Sequence, residues 1–217
     1  PCTEQTFGFD TAVSIATEAI DRLHTTAESH DRVMVVEVMG RHVGHIATWA
    51  GMAGGATVTL VPEHPFDIEV VADIVKKRHE RGRYASIVVV AEGARPAPGT
   101  MDLAEPEVDR FGHKRLGGVG LAVATELERR TGYETRVTVL GHVQRGGSPT
   151  AFDRVLSSRY GVAAIDAVHE DGLGDMVALQ AGLITRVSLA DVMGHLRAVD
   201  DRLWDVANAL FEARLDG

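Results

Sequence analysis

The sequence predicts an α/β chain built on a mostly parallel sheet with helices on both faces. Short apolar runs rich in β-branched residues alternate with longer amphipathic stretches, the order expected of repeated strand–helix crossovers. The runs are apolar without alternation, as strands covered on both sides must be. The residues that fit neither a core nor an ordinary turn all follow strands, where open α/β sheets place their ligands.

The elements follow in order. Asp10 to Glu28 carries Ala12, Ile15, Ala16, Ala19, Ile20 and Leu23 at helical spacing, opposite a polar face. Strands are predicted at Val33 to Val38, Ala56 to Val61, Ser86 to Glu92 and Thr135 to Leu140, with helices near Gly44 to Gly54, Asp67 to Arg81 and Gly117 to Arg130. Residues Gly93 to Lys114 hold Pro96, Pro98, Gly99 and Pro106 and are expected to form a surface excursion. Ser148-Pro149 suits a helix start, serine capping and proline in the first turn, leading into Thr150 to Val168. Two short strands and two helices, near Leu189 to Arg197 and Asp201 to Arg214, close the chain.

Composition narrows the function. At 217 residues and 45% hydrophobic, the chain can bury the core of one or two domains. Thirty-one acidic against 22 basic residues leave a net charge of -9, which argues against general binding to nucleic acid or an anionic membrane. Any bound anion must therefore meet a local basic cluster. The single cysteine, Cys2, excludes an internal disulfide, and no apolar run is long enough to span a bilayer. No signal peptide opens the sequence, so a cytoplasmic location is expected. The start at Pro1, without Met, reads like an interior position of a longer protein. His24, His30, His42, His45 and His64 lack metal-ligand spacing, and no metal site is expected in this chain.

Four strand ends share one rim. Met39-Gly40-Arg41, Pro62-Glu63, Glu92-Gly93 and Gly141-His142-Val143-Gln144-Arg145-Gly146-Gly147 each follow a predicted strand. Singly, each has an ordinary explanation as turn or surface charge. Together they suit a phosphorylated polyol. Arg41 and Arg145 offer planar donor forks to phosphate, His142 a further donor, and Glu92 an acceptor for sugar hydroxyls. Gly40, Gly146 and Gly147 allow close backbone approach, the latter pair just ahead of a helix amino terminus.

The segments Val35-Val36-Glu37-Val38-Met39-Gly40-Arg41 and Leu140-Gly141-His142-Val143-Gln144-Arg145-Gly146-Gly147-Ser148-Pro149, with Asp153-Arg154, resemble two signatures of the 6-phosphofructokinase family. The likeness extends through Thr6 to Ala12, Glu18 to Leu23, Ser29 to Arg32, Val61 to Glu63 and Glu134 to Val137, covering nearly the whole chain. It implies a Rossmann-like phosphofructokinase fold lacking the N-terminal donor-binding part. Met39, Gly40, Arg41, Glu92, His142 and Arg145 match fructose 6-phosphate contacts made within one subunit. Arg32 and Arg136 match arginines that reach the 6-phosphate of a neighbouring subunit, which implies a homo-oligomer, dimer or tetramer, with a shared active site. Arg41 matches a residue that also stabilises the transferring phosphoryl group, and is the one catalytic candidate.

The resemblance also implies what this sequence does not contain: a Gly-rich donor loop and a Thr-Ile-Asp-Asn-Asp motif whose first aspartate is the base. The donor, ATP or pyrophosphate with Mg²⁺, is thus expected to bind outside this chain, and the isolated chain to be inactive. Residues 9–143 with 195–217 are expected to form a discontinuous sugar-phosphate-binding domain, and 144–194 to pack on the absent donor-binding domain. Val155, Leu156, Ile165 and Val168 would then be exposed. His24 and Thr57 stand where a nucleotide effector site would carry an arginine and a glutamate, so ADP activation is not expected, although Arg81 and Arg83 match. The stretch Arg95 to Lys114 and the run Gly40-Arg41-His42-Val43-Gly44-His45 resemble members that use either donor. The competing readings are a non-catalytic sugar-phosphate-binding or regulatory module and a periplasmic-type sugar-binding lobe, the latter disfavoured by the absent export signal.

Overall fold

The computed structural model describes residues 1–103 and 118–211. They form two compact units, one of Pro1–Ala12 with Arg145–Arg197, the other of Val13–Gln144 with Ala198–Gly217.

The larger unit has the predicted α/β architecture. Helix α1 (Phe9–His30), most of which lies here, leads to strand β1 (Val33–Val38), helix α2 (His45–Ala53), strand β2 (Val58–Leu60), helix α3 (Ile68–Glu80), strand β3 (Ser86–Ala91), helix α4 (Val119–Thr131) and strand β4 (Thr135–Val139). The strands form one parallel sheet in the order β2-β3-β1-β4. Successive residues of a strand face opposite sides, and both sides are covered. Met34, Val36, Val38, Ile87 and Val89 pack with Ile20 of α1, Ala47 and Ala50 of α2, and later Trp204 and Phe211. Val33, Val35, Val88 and Val90 pack with Ile68, Val71 and Val75 of α3 and Val123 and Leu127 of α4. Every residue of β1 and β3 is buried, the reason both read as apolar runs broken only by Glu37 and Ser86.

The smaller unit is built on helix α5 (Ala151–His169) and an antiparallel ribbon of β5 (Asp175–Gln180) and β6 (Leu183–Ser188). Leu156, Tyr160 and Leu179 form its core. The first residues join it: Glu4 donates its N–H to the Leu179 carbonyl at 2.8 Å, and Tyr160 Oη donates to the Gln5 carbonyl at 2.7 Å. Asp153 is buried, and its Oδ2 accepts from both the N–H and the hydroxyl of Thr11. One turn, α6 (Leu189–Val192), ends this unit's regular structure, and α7 (Asp201–Leu210) returns to the larger one.

Four expectations change. The helix predicted from Leu189 stops after one turn, because Met193 is extended and Gly194 takes φ +81°. Helix α5 is capped not by Ser148 but by Thr150, whose side chain accepts from the Asp153 N–H. Leu156 is 2% exposed, whereas Val155, Ile165 and Val168 are all more than half exposed, so α5 has one buried and one open apolar stripe. Strand β2 is half the predicted length. Part of the predicted excursion Gly93 to Lys114, and the end of the last helix, lie outside the described residues.

Candidate functional site

Strand register builds the rim. Val38 pairs with Ala91 and Glu37 with Val139, so the residues next in line on β1, β3 and β4 emerge side by side. The ladder continues one step beyond the strands: Glu92 N–H donates to the Val38 carbonyl at 2.9 Å, and Leu140 N–H to the Glu37 carbonyl at 3.0 Å. There lies a cavity of about 200 Å³ whose lining includes Glu37, Met39, Glu92, Gly118, Gly141 and His142. Three of the sequence-predicted residues, Met39, Glu92 and His142, thus share one concavity.

Gly40 joins them through its backbone. Its N–H points to Glu92 Oε1 at 3.5 Å, its carbonyl accepts from Gly93 N–H at 3.0 Å, and its φ of +152° is a glycine conformation. A Cβ on Gly93 would stand 2.0 Å from the Arg41 carbonyl oxygen, so this turn closes only because residue 93 is glycine. Met39 N–H donates to Oε1 of the buried Gln144 at 3.3 Å, while the Gln144 amide donates to the Gly141 carbonyl at 3.0 Å. One side chain therefore ties the end of β1 to the 3-10 turn Gly141–Arg145 that carries His142. Arg41, His142 and Arg145 are exposed, and none is ion-paired to a described residue. Arg145 belongs to the smaller unit.

Arg32 and Arg136 lie elsewhere. Arg32 immediately precedes β1 and Arg136 stands near the start of β4, at the opposite end of the parallel sheet from Met39 and His142. At about 3.3 Å per residue, six-residue β1 keeps Arg32 roughly 20 Å or more from the rim. Both arginines are held by one carboxylate: Glu134 Oε1 lies 2.8 Å from Arg32 and also pairs with Arg136. The hydrogen bond from Arg32 holds the Glu134 carboxyl below its ordinary value; desolvation, the next largest effect, opposes this, and the charges of Arg136 and Arg32 add to the lowering.

The structure adds a group that motif reasoning did not single out. Glu37 is 3% exposed on the apolar α3/α4 face of β1, and its Oε2 accepts from Gly120 N–H at 2.8 Å. Burial pushes its carboxyl above the ordinary value; the N–H groups of Gly120 and Gly118 oppose that, and nearby Glu92 reinforces it. The available signal was a carboxylate in an otherwise apolar strand. Glu63, by contrast, is structural: it accepts from Gly44 N–H through both oxygens at 3.0 Å and from Val199 N–H at 3.1 Å. Among the described residues no group of three or more His, Cys, Asp or Glu side chains is placed to hold a metal ion. No described helix is long and apolar enough to cross a membrane. A second concavity, about 250 Å³ between α5 and β6 with Asp166, Glu170 and Arg186 in its wall, contains none of the motif residues.

Comparison with known proteins agrees with the motifs. The family model described as phosphofructokinase matches residues 1–168. The ATP-dependent 6-phosphofructokinase of Mycobacterium tuberculosis is 58% identical over 210 residues, 97% of this chain and 61% of the relative. The pyrophosphate–fructose 6-phosphate 1-phosphotransferase of Streptomyces coelicolor is 57% identical over 209 residues, 96% of this chain and 61% of the relative. The chain thus spans about three-fifths of the length of these relatives. Among solved structures, phosphofructokinase from Saccharomyces cerevisiae superposes with a TM-score of 0.75 at 35% identity, covering 96% of this chain and 25% of its own.

Proposed function

This chain belongs to the phosphofructokinase family, and on that premise we propose that it is the fructose 6-phosphate-binding part of a 6-phosphofructokinase, acting with a donor-binding part outside these residues. The observation that carries the proposal is the cavity at the strand ends, where an acceptor carboxylate, Glu92, and a histidine, His142, meet the Met39-Gly40 backbone. In this reading Glu92 accepts hydrogen bonds from sugar hydroxyls, His142 donates, and Met39 and Gly40 shape the floor. Arg145 meets the 6-phosphate as a charged fork. Arg41, exposed beside Gly40, is left available for the phosphoryl group in transfer, where positive charge lowers the barrier.

The reaction class is phosphoryl transfer from ATP or pyrophosphate to the 1-hydroxyl of fructose 6-phosphate. The proton of that hydroxyl goes to an aspartate base outside this chain, and Mg²⁺ accompanies the donor. Arg32 and Arg136 are too far along the sheet to reach the same ligand, so in this proposal they serve the site of a second copy, dimer or tetramer. Residues 9–143 and 195–217 act as the sugar-phosphate domain, and 144–194 packs on the donor-binding part, its open stripe of Val155, Ile165 and Val168 suiting such a neighbour. A cytoplasmic setting fits this chemistry.

The test is thermal. Fructose 6-phosphate should raise the melting temperature of the full-length protein by several degrees, and Arg145→Ala should remove most of the shift. An undiminished shift in the variant would take Arg145 out of the site. No shift in the unaltered protein, with calorimetry also showing no binding, would reject the hexose-phosphate reading.

A further inference from the structure

Resting on the hexose-phosphate reading, we propose that Glu37 is a positioning residue for that ligand: its carboxylate, reaching from β1, holds the first turn of α4 and so fixes the Gly118 wall of the cavity that Glu92 and His142 also line.

Three observations lead there. First, burying a carboxylate is costly unless it is hydrogen-bonded, yet Glu37 is 3% exposed in a strand otherwise made of Val and Met. Second, α4 has no cap of its own. Its cap position is Gly118, at φ +91° and without a side chain to accept a hydrogen bond. An ordinary cap residue accepts from the second or third N–H of the helix, and here Glu37 Oε2 takes that of Gly120, the second helical residue, at 2.8 Å. A carboxylate from a strand does the work of an absent Asp or Ser. Third, the helix can come this close only because residue 120 is glycine: a Cβ there would stand 2.9 Å from Glu37 Oε2 and 3.0 Å from Glu37 Cβ. Glu37 and Gly118, the cap residue of the helix that Gly120 belongs to, both line the cavity itself.

A link in the wall should act on the sugar and not on the donor. Its surroundings explain the choice of group. Around Glu37 the end of β3 contributes Glu92, the turn after β4 contributes His142, and the start of α4 contributes N–H donors rather than a charge. A charged carboxylate is the strongest acceptor for those donors, and glutamine, of the same shape, is weaker.

The experiment uses the full-length protein with two variants that cut the link from opposite sides, Glu37→Gln and Gly120→Ala, and the double variant. Calorimetry measures fructose 6-phosphate binding, and steady-state kinetics measures KM for each substrate and kcat. Each single variant should weaken fructose 6-phosphate binding and raise its KM about tenfold, the loss expected from one charge-assisted hydrogen bond. The donor KM should stay within about twofold of the unaltered protein, and the double variant should be no worse than the worse single one, because one interaction is lost once. Gly120→Ala also raises helix propensity, so weakened binding without lost stability separates positioning from folding. Sugar binding unchanged in both variants, or donor and sugar KM rising together, overturns the inference while leaving the hexose-phosphate reading intact. Should Glu37→Gln fail to fold, Gly120→Ala decides by the same criteria. If the unaltered protein binds no fructose 6-phosphate, the site reading falls, and this inference with it.

Discussion

Gly93→Ala is the sharpest probe of how the rim is built. The new Cβ would lie 2.0 Å from the Arg41 carbonyl oxygen, 2.6 Å from the Arg41 carbonyl carbon and 2.8 Å from the Gly40 carbonyl oxygen. All three are backbone atoms, so no rotamer change relieves the clash. The Gly40-Arg41 turn must move by about 1 Å or more to restore ordinary contact. That movement breaks the hydrogen bond from Gly93 N–H to the Gly40 carbonyl and the longer one from Gly40 N–H to Glu92. Overpacking costs about 1–3 kcal/mol and each lost hydrogen bond about 1 kcal/mol. A total near 4 kcal/mol corresponds to a drop of about 10 °C in a domain of this size. Differential scanning calorimetry measures it, and fructose 6-phosphate titration on the same sample should show binding weakened at least tenfold, because Arg41 and Gly40 are displaced together. A variant melting within about 2 °C of the parent and binding sugar phosphate unchanged would refute the claim that the Gly40–Gly93 contact sets the rim.

Two further perturbations test the remaining polar links. Glu134 is held below its ordinary carboxyl value of 4.5, chiefly by the hydrogen bond from Arg32; a depressed carboxyl stabilises above that value and loses its contribution as pH falls through the lowered one. Glu134→Gln should flatten the acid-side fall in stability, measured by urea unfolding from neutral pH to below about pH 4, and an unchanged acid slope would remove Glu134 from that role. Asp153→Ala leaves the Thr11 N–H and hydroxyl without their acceptor in the interior of the smaller unit. It should cost about 2–4 kcal/mol in chemical denaturation, and a loss below about 0.5 kcal/mol would show that Thr11 finds another partner.

What the sequence made legible was local. The strands of the sheet were readable because β1 and β3 are buried on both faces, and the rim because its residues follow those strands directly. Helix α5 was harder. Apolar residues stand on two of its faces, so periodicity could not tell Leu156, packed against Tyr160 and Leu179, from Val155, left open. Its cap was misassigned by two residues because Ser148-Pro149 and Thr150 both offer plausible signals, and the choice went to the residue whose hydroxyl meets the Asp153 N–H. The early end of α6 depends on an extended Met193, which has no strong signature of its own. Glu37 could be seen as a carboxylate in an apolar strand, but its partner could not: Gly120 lies 83 residues away, and nothing local to either marks the pairing.

The helix caps show why that pairing falls at the rim. α3, α5 and α7 are capped by Asp67, Thr150 and Asp200, each directly before its helix. The cap positions of α2 and α4 are instead glycines, Gly44 and Gly118, with no side chain to offer, and each helix takes a glutamate from elsewhere in the sheet: Glu63 after β2 meets Gly44 N–H, and Glu37 in β1 meets Gly120 N–H. A free helix amino terminus is a natural seat for phosphate, since its N–H groups and dipole both favour negative charge. These two are already filled by the chain's own carboxylates. In the proposed function, a phosphate arriving at this rim would therefore be left to side-chain cations such as the exposed Arg41. In a chain with a net charge of -9, the proposed phosphate site would then depend on a few arginines rather than on these two helix termini.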